Sequence, residues 1–170
     1  MGGLRGSQKG VTLVELMVVV AMIGILVGVL TPNILSSLPV YRTRAAARHL
    51  LFDLQKAKLE AVKRGKKVVV EFFPEPYADA GERGRYLICV DLDDPANNAC
   101  DATDTVLADK RMPKNVSLYS DPPGGITFAG NKTGFDYRGF PSTTGSVRLR
   151  NNKGRELQVT ISSVGRISIQ

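Results

Sequence analysis

One carboxylate stands inside an apolar stretch. It is Glu15, in Val11-Thr12-Leu13-Val14-Glu15-Leu16-Met17, and no further charge follows before Pro32. A carboxylate at the centre of a membrane helix costs roughly 2.5 kcal/mol or more, so the chemistry asked of Glu15 is ion pairing with a counter-charge still to be named. Cys89 and Cys100 are the only cysteines, and they are close enough in sequence to join. A third group, Arg148, Arg150, Lys153, Arg155 and Arg166, is rich enough in cations to neutralise phosphates.

No set of residues marks a catalyst. His49 is the single histidine and stands among charged helix residues. The chain has no Gly-x-Ser-x-Gly nucleophile turn, no P-loop and no zinc-ligand spacing. The sequence therefore reads as a non-enzyme that calls for no metal or cofactor. The Asp93–Thr105 segment has the composition of a calcium loop without its spacing and reads as a solvated turn.

The elements that must position these groups follow from periodicity. Val11 to Leu30 is about 20 residues, or about 30 Å of helix, which matches a bilayer core. Arg5 and Lys9 precede it, so the positive-inside rule places the N-terminus in the cytoplasm and the rest outside. A cleaved secretory peptide needs a shorter apolar run and a small-x-small site, and none follows Leu30. A plain anchor leaves Glu15 unexplained.

Beyond Pro32 the helix resumes. Leu50, Leu51, Leu54, Ala57, Lys58, Ala61 and Val62 recur at three- and four-residue spacing, as one face of an amphipathic helix does, and Gly65 is its natural stop. From Lys66 the pattern turns to strands at 68–73 and 86–91. Further short ones are expected at 116–119, 126–128, 135–137, 146–150, 156–162 and 166–169. The fold class is α+β, a helix followed by an antiparallel sheet. The expected divisions are residues 1–10, 11–31, 32–65 and 66–170. Arg5 and Lys9 supply two of the formal +7 charge, which leaves +5 on the remainder.

Gly10-Val11-Thr12-Leu13-Val14-Glu15 resembles the class III signal of type IV pilins and type II secretion pseudopilins. The C-terminal half narrows the resemblance to the minor pseudopilin group called GspH/FimT. The segments that carry it are Phe135-Asp136-Tyr137-Arg138-Gly139-Phe140-Pro141, Gly145-Ser146-Val147 and Gly165-Arg166-Ile167. The resemblance implies a pilin-like fold and cleavage by a prepilin peptidase after Gly10, with methylation of Val11, where the family usually has Phe. Pro32 matches the proline that breaks or bends the family's helix.

It also implies the missing partner for Glu15: the new amine at Val11 of a neighbouring subunit, met only in correct axial register. The partners are then other pilin subunits in a filament and the inner membrane, with the C-terminal domain periplasmic or extracellular. In that oxidising setting a Cys89–Cys100 disulfide is the default, with two buried thiols or a redox-variable pair as alternatives. Some similar proteins bind DNA through a basic Gly-Arg-x-Arg element. Here Gly165-Arg166-Ile167-Ser168 lacks the second arginine, and no aromatic is interleaved with the basic strip. DNA capture during uptake is the alternative to a purely structural subunit.

Overall fold

A computed structural model describes residues 10–74, 84–92, 99–119 and 125–170, with backbone alone for residues 29–36 and 119. Parts of the two expected loops, including Pro76, Gly81, Asp93 and Asp94, lie outside the described residues. The chain forms two compact units, Met1–Leu38 and Pro39–Gln170. They meet within one helical element, α1 (Leu13–Arg64), which takes in Pro32 and Pro39. The later part of α1 shares a core with the strands.

In the first unit, Thr12 starts the helix. Its hydroxyl accepts the Glu15 backbone N–H at 3.3 Å, and its carbonyl accepts the Leu16 N–H at 3.1 Å. Thr-x-x-Glu is the capping-box pattern, and an acidic residue in the first turn complements the positive end of the helix dipole. Among the described residues no helix is long and apolar enough to cross a membrane. Val29 and Leu30, the expected end of the apolar run, lie outside the residues whose side chains are described.

The second unit holds two four-stranded antiparallel sheets. The first has β1 (Val68–Phe73), β2 (Arg85–Val90), β3 (Thr105–Arg111) and β5 (Lys132–Phe135) in the order β3-β2-β1-β5. The second has β4 (Val116–Tyr119), β6 (Gly145–Asn151), β7 (Glu156–Ile161) and β8 (Ile167–Ile169) in the order β4-β6-β7-β8. In the first sheet Val68, Val70 and Phe72 lie opposite Val90, Ile88 and Tyr86. Period-2 alternation puts these six on one face, and all are buried. They share one core with Leu50, Leu54, Ala57 and Ala61 of α1 and with Val147, Leu149, Val159 and Ile161 of the second sheet. Phe128 stacks on Phe72 with ring centroids 5.7 Å apart.

The other face of the first sheet is covered as well. Val69, Glu71 and Cys89 point there and are buried. Cys89 is bonded to Cys100, and the Cys100 N–H donates to Glu71 Oε1 at 3.0 Å. Lys132, opposite Glu71 in the register, reaches the same oxygen at 2.8 Å. A carboxylate at this depth is tolerable because both a cation and an amide meet it.

Three strand expectations change. Thr105–Arg111 forms β3, where no strand was expected; it is a largely exposed edge strand whose Asp, Lys and Arg hide the usual apolar alternation. Residues 126–128 make only a single bridge, Ile126 to Val147. β5 ends at Phe135, because the Asp136 carboxylate accepts the N–H groups of Arg138 and Phe140 at 2.9 and 2.8 Å and turns the chain.

Candidate assembly surface

The N-terminal part of α1 has no inner face. Leu13, Val14, Leu16, Met17, Val18, Val19, Val20, Met22, Ile23, Ile25, Leu26 and Val27 are all exposed. Residues this closely spaced surround the helix on every side, and a helix that is apolar all round is one that other molecules must cover. Glu15 is exposed within this surface, and among the described residues its carboxylate has no ion-pair partner. Gly10 and Val11 are exposed just ahead of it. Pro32 lies within α1, its side chain outside the described set.

The later part of α1 carries two stripes. The expected core positions Leu50, Leu54, Ala57 and Ala61 are buried. Val62, expected among them, is 49% exposed and belongs to the opposite side. There it follows Tyr41, Ala45, Arg48, Phe52, Gln55 and Leu59 at alternating four- and three-residue steps, a spacing that keeps residues on one helix face. Tyr41, Phe52 and Leu59 are 64%, 63% and 65% exposed. The sequence reading missed this second stripe. Its signal was a further apolar period, out of phase with the first and diluted by Arg48 and Gln55.

Two of the three C-terminal signature segments come together on α1. Lys58 Nζ donates to the Gly165 carbonyl at 3.0 Å. Gly139 and Gly165 both have positive φ, +82° and +72°. A Cβ on Gly165 would sit 2.9 Å from the Gly139 carbonyl oxygen, and one on Gly139 would sit 3.1 Å from Lys58 Cε and 3.2 Å from Val62 Cγ2. Only glycine meets the conformation and the crowding together. The loops held there present Tyr137, Phe140 and Val164 to solvent.

Four of the five basic residues stay together in the β6–β7 hairpin, and Arg166 lies apart. Arg148 and Arg150 lie on the outer face of β6, and Glu156 pairs with both, at 3.2 Å and 3.8 Å. Lys153 and Arg155 are in the turn after β6, where Asn151 Oδ1 accepts both their backbone N–H groups, at 3.0 and 2.9 Å. Arg166 is in the turn at the far end of β7, about 20 Å along the strand from Arg155. Strand register alone sets this separation. His49 is exposed on α1. Among the described residues no group of three His, Cys, Asp or Glu side chains is placed to hold a metal ion.

Comparison with known proteins places these features. Residues 46–165 match the family described as Type II transport protein GspH, and residues 5–31 match the prokaryotic N-terminal methylation motif. The chain is 28% identical to the Pilin-like protein PilA1 of Thermus thermophilus, over 96% of this chain and 99% of that one. Among solved structures it is similar to the type IV minor pilin FimU of Pseudomonas aeruginosa, at 16% identity and TM-score 0.48, over 75% of this chain and 91% of that chain. It is also similar to the minor pseudopilin EpsH from the type 2 secretion system of Vibrio cholerae, at 12% identity and TM-score 0.48, over 76% and 96% of the two chains. Because the GspH match spans well over half its length and the methylation motif precedes it, the chain belongs to the GspH family of minor pseudopilins and pilins.

Proposed function

We propose that this protein is a processed structural subunit of a type II secretion pseudopilus or a type IV pilus. Prepilin peptidase cuts after Gly10 and methylates the amine of Val11. The apolar helix then lies in the inner membrane until the subunit is drawn into the filament, with the domain from Pro39 onward carried outside. The observation that carries this reading is the lone carboxylate of Glu15 on a helix exposed on all sides. In isolation that charge is costly in lipid. Beside the Val11 amine of a neighbour it is compensated, so the polymer is favoured and its register fixed. Pro32 serves assembly in the same segment by interrupting the helical hydrogen-bond ladder, since it has no N–H to donate.

The test is Glu15→Leu in cells that build the filament. Membrane insertion should be unchanged while incorporation, read by crosslinking to neighbouring subunits, falls at least tenfold. Normal incorporation would falsify the role given to Glu15. Mass spectrometry of the mature protein should find an N-terminus at methylated Val11; a native molecule that still carries residues 1–10 would overturn the processing step.

A further inference from the structure

Several basic side chains of the second unit are neutralised where they stand. Glu60 pairs with Lys63 and Arg64, Asp109 with Arg85, Glu71 with Lys132, Asp136 with Arg138, and Glu156 with Arg148 and Arg150. One groove brings cations together in a concave site. It is a cavity of about 370 Å³ along the flank of α1, lined by Arg42, His49 and Asp53 of the helix and by Tyr86, Lys110 and Arg111 of β2 and β3. Among the described residues Arg42, His49 and Lys110 have no ion pair or side-chain hydrogen bond. The carboxylate in the lining, Asp53, already accepts the Tyr86 hydroxyl at 2.6 Å. Burial and the Asp53 charge both raise the Tyr86 pKa, so the phenol stays protonated and keeps donating.

Uncompensated cations in a concave, partly apolar site attract anions more strongly than the same cations on open surface, because the walls exclude water. We propose that this groove is a subunit-contact site that receives Asp or Glu carboxylates of an adjacent filament subunit. The proposal rests on the filament reading above and names a second electrostatic contact, independent of Glu15. Charge complementarity selects a carboxylate, and the guanidinium of Arg42 can hold one through two parallel hydrogen bonds. The groove borders the outer stripe of α1, where Tyr41 and Phe52 are exposed, so an apolar surface with a charged rim is already in place.

The experiment uses the full chain in cells that assemble the filament, with a benzophenone amino acid in place of His49. Light should join it to a second filament subunit at a peptide containing Asp or Glu. The adduct should fall about five- to tenfold in Arg42→Glu/Lys110→Glu and stay unchanged in Arg148→Glu/Arg150→Glu. In case charge reversal impairs folding, Arg42→Gln/Lys110→Gln is run beside it with the urea midpoint of each variant, and the same direction of loss is expected. An adduct that survives both double variants, a crosslinked peptide without a carboxylate, or an adduct to nucleic acid overturns the proposal. Glu15→Leu separates the two ideas. If it abolishes the adduct while the groove variants do not, the groove role alone fails; if it leaves the adduct intact while the groove variants lower it, the role given to Glu15 fails and the groove contact stands.

Discussion

Lys58 Nζ and the Gly165 carbonyl meet at 3.0 Å, which fixes the turn between β7 and β8 to the last turns of α1. Gly139 is wedged between the same lysine and that turn. Gly165→Ala should therefore lower stability by about 2–3 kcal/mol. About 1–2 of this comes from the left-handed backbone and the rest from the contact with the Gly139 carbonyl. Lys58→Met should cost about 1 kcal/mol, the worth of one ordinary hydrogen bond. Urea titration of the full chain in detergent measures both, and an unchanged midpoint for Gly165→Ala would count against the wedge.

Reduction of the Cys89–Cys100 bridge should cost about 3 kcal/mol, because it frees a short loop in the unfolded chain. The Cys100 N–H that serves Glu71 is also released. Thermal melts with and without reductant, repeated on the Cys89→Ala/Cys100→Ala variant, should show the reductant effect only in the native sequence.

Glu71 is 8% exposed and depends on Lys132 for its counter-charge. Lys132→Met should destabilise by about 1–2 kcal/mol, since it leaves a buried carboxylate with an amide alone. Adding Glu71→Leu to that variant should recover part of the loss, as expected when an apolar pair replaces a buried ion pair. A double variant weaker than the single one would reverse this account.

Tyr86 gives the domain an alkaline limit. Its pKa is raised above the ordinary value of 10.0, first by burial and then by its hydrogen bond to Asp53 and the charge there. Below about pH 10 the folded and unfolded states both keep the proton, so this group contributes no pH dependence. Above it the unfolded chain ionises and the folded one does not, so stability falls as pH rises. In urea titrations between pH 8 and 11, Tyr86→Phe should lose part of that decline and start from a lower midpoint, because Asp53 loses its donor.

Much of this was legible in the chain. The Glu15 signal, the strands of the buried sheets and the stripe Leu50, Leu54, Ala57 and Ala61 all follow from spacing and from the cost of a stray charge. A single apolar face per helix was too simple an assumption, and it misplaced Val62 and hid Phe52 and Leu59. β3 escaped because an edge strand needs no apolar alternation. The groove escaped because Arg42 and Lys110 are far apart in sequence and meet only through the pairing of β2 with β3 beside the helix. The basic strip is only partly kept together: Arg148, Arg150, Lys153 and Arg155 share the β6–β7 hairpin, and Arg166 falls in the turn at the opposite end of β7.

The two-sided character of α1 means that mutations there can fail in two separable ways. A change at Leu54 or Ala57 removes the fold, and the cell degrades the product. A change at Phe52 or Leu59 leaves the core intact, and under the filament reading proposed above its expected cost falls on contacts with neighbouring subunits. Screens that score expression or solubility will pass the second class without notice, and only the length or number of filaments will reveal it.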